Sequence, residues 1–397
     1  MLSVEEARAR ILSAFRPVAA EQVSVAEAFG RVLAEDLSAR VTQPPVAVSA
    51  MDGYAVRAAE VARPPVKLRT IGEAPAGEAF EGTVGPDEAV RIFTGGPVPK
   101  GADAVVIQED TEADGKWVTV RVAVPVGHYI RPAGLDFSQG DVCVKAGRVL
   151  TARDVGLAAA MNIPWLSVHR KPRVAILATG DEIVMPGEPL GPNHIVSSNG
   201  LALAALVEAS GGLAVNLGIA RDNEASLKRM AAGAQGADVL VMSGGASVGE
   251  HDLVRRVLGE EGLELDFWRI AMRPGKPLMF GRLKGTPVLG LPGNPVSSLV
   301  CGLVFLRPAL EVMLGVVAGE RPAATALLAR DLGANDDRQD YLRATLSYDE
   351  AGSPVATPFA KQDSSMLSRL AASDCLVIRP PFAPPAKAGD RVTVIPL

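Results

Sequence analysis

The chain has 397 residues, 48% of them hydrophobic and 21% charged, and a formal net charge of −5. That length exceeds one ordinary core, so several domains are expected. The acid surplus excludes a general nucleic-acid binder, which needs basic surface to neutralise phosphates. Aromatic residues, at 4%, leave few platforms for base stacking. No segment reads as an unbroken apolar run of membrane-spanning length, so no membrane partner is expected. The start, M-L-S-V-E-E-A-R-A-R, carries acids early and no apolar core of a secretory signal. Cys143, Cys301 and Cys375 lie far apart with no metal-ligand spacing. A cytoplasmic location follows from these features.

Two capped helices open the chain. Ser3 with Glu6 forms a capping box before an amphipathic run to Phe15, and Ser24 with Glu27 repeats it before a run to Leu33. From about Val41 to Asp141 the sequence turns rich in Gly and Pro. Short β-type runs stand at Val66–Ile71, Ala89–Phe93 and Ala104–Gln108, and Trp117–Val124 reads as the return strand of a hairpin. Thr151 and Asp154 cap a further helix through Met161. The expected first domain is therefore 1–170, a helical unit with a β-rich insertion at about 42–141.

A second texture starts at Arg173. The runs R-V-A-I-L-A-T, L-A-V-N-L-G-I, D-V-L-V-M (Asp238–Met242) and P-V-L-G-L (Pro287–Leu291) read as buried strands. Helical patterns at Ser197–Ser210, from Glu224, after the glycine loop, and from Asn294 (N-cap) and Pro295 (N1) to about Leu314 alternate with them. The fold class is α/β multidomain, and residues 171–318 form a doubly wound, mostly parallel sheet. Residues 319–397 have short alternating strands and a P-P-F-A-P-P segment, which suit a small β-barrel-like domain.

Ligands of open α/β sheets bind beyond the carboxyl ends of the strands. After Asp238–Met242 comes S-G-G-A-S-V-G-E-H-D, in which Ser243, Gly244, Gly245, Ser247 and Gly249 offer an anion-binding nest. The loop is neither a Walker A sequence nor a G-x-G-x-x-G fingerprint, so ATPase and nicotinamide readings lose support. A flexible turn capped by Ser247 or Asp252 is the plainer alternative. T-G-D-E brings Thr179, Gly180 and Glu182 to the same edge, as A-R-D-N brings Asp222. Glu182, Asp222 and Asp252 together suit Mg²⁺ beside substrate phosphates. Taken singly, Asp222 and Asp252 read equally well as helix N-caps. Arg273 and Lys276 in R-P-G-K-P, with Ser297 in L-P-G-N-P-V-S, suit a tetrahedral oxyanion, although two rigid turns account for the same letters. In the first half, S-A-M-D-G-Y-A holds Asp52, R-I-F-T-G-G-P-V-P holds Thr94, and R-P-A-G-L-D holds Arg131 and Asp136. Asx turns are the ordinary role for both aspartates. The four histidines show no catalytic or metal spacing.

These motifs, in this order and together with the closing A-G-D-R-V-T-V, resemble the MoeA family of molybdopterin molybdenumtransferases, also seen as the E domain of gephyrin. The resemblance spans essentially the whole chain. It implies Mg²⁺-dependent insertion of molybdenum from molybdate into adenylylated molybdopterin, with release of AMP. It places the pterin nucleotide over Ser243–Gly249 with Thr179 and Gly180, and Glu182, Asp222 and Asp252 around metal and phosphate. Molybdate falls near Arg273, Lys276, Pro277, Ser297, Arg343 and Ser364, where Arg273 replaces a lysine of some members and Ser365 competes with Ser364 for the contact. Members are homodimers, so Asp52, Thr94, Arg131 and Asp136 would complete a partner's cleft. An upstream molybdopterin adenylyltransferase would supply the pterin. A rival on the same central fold, an adenylyltransferase or a CinA-type pyrophosphatase, shares T-G-D-E and the glycine loop but lacks M-D-G-Y-A and the C-terminal β domain.

Overall fold

The structure, a computed structural model, describes residues 1–244, 250–317 and 324–397, with the backbone alone at 250–252. Two compact units result: Met1–Glu21, Gly30–Ala34 and Val168–Leu397 form one, and Gln22–Phe29 with Glu35–Ser167 form the other.

In the larger unit a six-stranded sheet runs in the order Leu213–Ala220, Arg173–Thr179, Val239–Ser243, Thr286–Leu291, Met279–Leu283, Leu263–Phe267. The first four strands are parallel, as their apolar runs require, and the last two are antiparallel. Lys284 and Gly285, both at positive φ, turn one antiparallel strand into Thr286–Leu291; the reading by apolar runs misses this hairpin. Alternate residues of each strand face opposite cores. Val174, Ile176, Val239 and Val241 pack under one set of helices, while Ala175, Leu177, Leu240 and Met242 pack under Glu224–Ala232 and Glu250–Glu260. Both faces are covered, which defines the doubly wound arrangement.

The first helix, Val4–Ser13, has the expected capping box, with the Glu6 N–H on Ser3 Oγ at 3.1 Å and the Ser3 N–H on the Glu6 carboxylate at 2.9 Å. Its buried residues Val4, Ala7 and Ile11 recur at helical spacing and belong to the first of those cores. The second expected helix is a correction. Ser24 and Glu27 do bond, at 2.9 Å, but only the 3-10 turn Val25–Glu27 forms, and Gly30 at φ 74° follows. Too few residues separate cap and glycine for a helix to propagate.

The helix after Asn294 is Pro295–Cys301, a π turn at Gly302–Leu306, and Arg307–Met313. Pro308 has no N–H to bond the carbonyl four residues back, and the π turn accommodates that loss. By length and composition Pro295–Met313 is apolar enough to cross a membrane, with mean hydropathy 1.6, contrary to the expectation of no such run. It is 72% buried, however, and Val300, Phe305, Leu306 and Leu310 are core residues. Its apolar character answers to packing on all sides.

The last strands close into a barrel. Gln339–Tyr348 pairs with Pro354–Pro358 and with Cys375–Arg379, and Thr325–Leu328 and Arg391–Pro396 complete the circuit. Leu328, Ala344, Ala356, Val377 and Val394 fill it. A short strand, Met272–Arg273, adds in parallel to Gln339–Asp340. This pairing attaches the R-P-G-K-P loop to the barrel.

The second unit carries a six-stranded sheet in the order Ala104–Ile107, Gly53–Val56, Glu88–Ile92, Val66–Ala74, Trp117–Val120, Thr111–Asp114. The helix Ala152–Ala160 starts at the expected capping box of Thr151 and Asp154.

Candidate active site

Register brings the functional loops to one edge. Ala178 lies opposite Ser243, and Ser243 opposite Leu291, so Thr179, Gly244 and Pro292 leave the sheet side by side. A cleft of about 950 Å³ opens there, with Thr179, Glu182, Asn199, Ser243, Gly244, Arg273, Lys276, Pro277, Asn294, Ser297, Arg338, Gln362, Ser364 and Ser365 in its walls. All of it lies within the larger unit.

Of the glycine loop, Gly244 is at φ 96°, and a Cβ there would stand 2.5 Å from the Thr179 carbonyl oxygen. Only glycine combines that dihedral with that approach. Ser243 is 2% exposed, and its hydroxyl accepts from Asn199 Nδ2 at 2.9 Å. The same Nδ2 donates to the Gly293 carbonyl at 2.7 Å, so Asn199 ties two strand-end loops together. Sequence reasoning missed Asn199, because an asparagine at a helix start reads as a cap. Gly245, Ser247 and Gly249 lie outside the described residues, and Asp252 falls in the helix Glu250–Glu260 with its side chain outside them.

Among the carboxylates, Asp222 is not the N-cap of its helix. Asn223 takes that role, accepting from the Ser226 N–H at 2.9 Å. Asp222 pairs instead with Asp181, each side chain accepting from the other's backbone N–H at 3.2–3.3 Å. Burial pushes the Asp222 carboxyl up, and the like charges of Asp181 and Glu182 add to the rise. Gly180, at φ 144°, stands so close to Glu182 that a Cβ would lie 2.6 Å from its carboxylate. Among the described residues no group of three His, Cys, Asp or Glu is placed to hold a metal ion.

The anion-side residues fall into three situations. Lys276, Pro277 and Ser297 line the cleft. Arg273 lines it too, but its guanidinium is bound by Asp340, by Asp336 at 3.0 Å and by Asn335 at 3.2 Å. Arg343 is 1% exposed and lies behind the wall, where Nη2 donates to the Asp363 carbonyl at 3.0 Å and Nε has no partner among the described residues. Its backbone is clamped by Gln362, which accepts from the Arg343 N–H at 2.9 Å and donates to its carbonyl at 3.0 Å. Arg343 thus shapes the Gln362–Ser365 segment from beneath.

Asn294 is the N-cap and Pro295 follows it, as expected, but the Asn294 side chain makes no capping bond among the described residues; its Nδ2 donates to Ser364 Oγ at 2.9 Å. Ser365 Oγ donates to Asp363 at 2.6 Å. The two serines therefore differ: the Ser365 proton is engaged, while Ser364 accepts and keeps its proton to offer. Arg338 and Gln362 are cleft residues that motif reading did not single out, and Asn294 is one it read only as a helix cap.

In the second unit, Asp52 accepts from the Thr94 N–H and the Thr94 hydroxyl, both at 2.7 Å. Those bonds hold its carboxyl below the ordinary range. Gly53 explains the next letter of M-D-G-Y: a Cβ would meet the Val106 carbonyl oxygen at 1.9 Å. Arg131 pairs with Val48 in a two-residue ladder, and the Asp136 N–H donates to the Gln43 carbonyl at 3.0 Å.

Fold and cleft define a doubly wound α/β protein whose strand-end site is walled by a C-terminal β-barrel. The MoeA N-terminal region (domain I and II) matches residues 2–162, a probable molybdopterin binding domain matches 175–312, and the MoeA C-terminal region (domain IV) matches 325–397. A molybdopterin molybdenumtransferase of Haemophilus influenzae is 33% identical over 100% of this chain and 98% of its own length. Molybdopterin molybdenumtransferase 2 of Mycobacterium tuberculosis is 35% identical, covering 99% of each chain. The molybdopterin biosynthesis MoeA protein from Pyrococcus horikosii superposes with a TM-score of 0.86 at 34% identity, over 99% of this chain and 98% of that one. The chain belongs to the MoeA family, and it is an enzyme of molybdenum cofactor biosynthesis.

Proposed function

We propose that the chain inserts molybdenum from molybdate into adenylylated molybdopterin and releases AMP. The observation that carries this reading is the single cleft with unlike walls. Thr179 and Gly244 stand on one side, Lys276, Ser297 and Ser364 on the other. A bound nucleotide over the first wall brings its reactive end toward an oxyanion on the second. Ser364 is the better anion donor of the serine pair, since its proton is uncommitted where that of Ser365 is held by Asp363.

Mg²⁺ does not need three protein ligands in place, because it is bound through one or two carboxylates together with substrate phosphates. Glu182 and Asp222, with Asp252, would hold it, and the crowding of Asp222 by Asp181 and Glu182 favours a nearby cation. When bound, such an ion supplies neutralisation of charge on the phosphoanhydride oxygens. The chain's own part is to hold the substrates in line: the Gly244 backbone admits the phosphates closely, and Asn199 fixes the two loops between which they lie. Asp52, Thr94, Arg131 and Asp136 are read as contributing to the site of a second copy in a homodimer. An upstream adenylyltransferase is the corresponding source of substrate.

The test is to supply adenylylated molybdopterin, Mg²⁺ and molybdate and to follow AMP. Molybdate-dependent AMP release, absent in Asp252→Ala, is expected. No release from the unaltered chain overturns the reading.

A further inference from the structure

The R-P-G-K-P loop carries two cations, and the fold treats them differently. Arg273 sits opposite Asp340 in the short parallel ladder that joins the loop to the barrel. From that position its guanidinium reaches Asp340, Asp336 and Asn335 at once. Asp340 is 4% exposed, and the Arg273 fork satisfies one of its oxygens while Oδ1 has no partner among the described residues. Asp336 is shared with Arg338, which donates at 2.6 Å. Two guanidinium charges thus face two carboxylates on this stretch of wall. Lys276, three residues on, accepts from the Ile270 N–H at its carbonyl, but its side chain has no hydrogen bond or ion pair among the described residues and is exposed to the cleft.

We propose that Arg273 is a positioning residue that fastens the loop to the barrel and is not itself a ligand of the incoming oxyanion. The assignment of the oxyanion rests on the transferase reading above; the role of Arg273 as a fastener does not. To swing toward an anion, Arg273 would have to leave Asp340 as a nearly buried charge without its cation, which is strongly unfavourable. Its potential is also largely cancelled where it stands, because two carboxylates lie within ion-pair distance. The planar fork of arginine explains the residue type: a lysine is a point charge and cannot span Asp336, Asp340 and Asn335 together.

Two measurements on the full-length protein decide this. The first is hydrogen exchange without any ligand. Arg273→Met should speed exchange about tenfold in peptides covering 272–277 and 336–340, the loss of one charge-assisted bond. Arg273→Lys should fall between, and Lys276→Met should match the unaltered chain. Unchanged exchange in Arg273→Met overturns the fastening role. The second is AMP release against molybdate concentration. Asp336→Asn should lower kcat with a molybdate KM unchanged or raised. If Arg273 were the anion ligand, weakening its hold would free it and lower that KM, so a lowered KM overturns the proposal. An unaltered chain that releases no AMP refutes the transferase reading, and the exchange measurement still decides the role of Arg273.

Discussion

Replacing Asn199 by aspartate keeps the shape of the side chain and removes only its donors. Nδ2 gives both bonds, to Ser243 Oγ at 2.9 Å and to the Gly293 carbonyl at 2.7 Å. The serine can turn and donate to the new carboxylate, so the first contact survives in reversed sense. The carbonyl cannot donate, and it is left facing a carboxylate. An acceptor stranded in this way costs about 1–3 kcal/mol. The new charge also sits in the first turn of the helix Asn199–Ala209, which returns about 0.3–1 kcal/mol. The net loss is about 1–2 kcal/mol, which corresponds to roughly 5- to 30-fold faster local opening. Hydrogen exchange in peptides covering 291–296 and 239–244 is the assay. A whole-molecule unfolding curve is less suitable, because two compact units need not melt as one transition. Exchange equal to that of the unaltered chain would refute the bridging role. Equal acceleration in the distant Gly53–Val56 strand would show general destabilisation instead.

Gly53→Ala should cost about 3 kcal/mol or more in the second unit, since its Cβ would overlap the Val106 carbonyl in the paired strand; early loss of that unit's β signal on heating checks it. Ser364→Ala should raise the molybdate requirement about tenfold, the loss of one hydrogen bond to a charged group, while Ser365→Ala should leave it within about twofold. Asp238 gives a pH prediction. Burial pushes its carboxyl up, but Arg170, bidentate at 2.7 Å, and the Arg173 N–H outweigh burial and hold it below the ordinary range. Its stabilisation is therefore present above the unfolded value of about 3.9 and is lost as pH falls through the lower folded value. The stability gap between the unaltered chain and Asp238→Asn, about 1–2 kcal/mol at neutral pH for this partly buried pair, should close in acid. A gap independent of pH down to full protonation would contradict the assignment.

Much of the larger unit is written in local patterns. Buried strands such as R-V-A-I-L-A-T and D-V-L-V-M, each followed by glycine, define the parallel sheet and its ligand edge. What eluded the sequence depends on partners distant in the chain. Ser24 and Glu27 satisfy a helix-start pattern yet yield one turn, because Gly30 at positive φ follows too soon. Asn294 is the cap its position announces, but the partner of its amide is Ser364, 70 residues further on. Arg273 and Lys276 look equivalent in R-P-G-K-P. Only the pairing with Gln339–Asp340 separates one that is bound by carboxylates from one that is free to face the cleft. Likewise Arg343 has the letter of an anion ligand, but its place in the barrel leaves it beneath the wall.

The short ladder between Met272–Arg273 and Gln339–Asp340 has a consequence for how this molecule can be divided. A chain ending at Leu314 would keep every strand of the doubly wound sheet, one of its cores whole and the other without Tyr341, Leu370 and Leu376. It would nevertheless lose the rail along which the R-P-G-K-P loop is laid, and with it Arg338, Gln362, Ser364 and Ser365 of the cleft. The barrel is thus no removable appendage to a self-sufficient catalytic core. Sheet and barrel each supply a wall of one recess, so a transplant that moved the α/β portion alone would carry over the strand-end edge without the opposite bank.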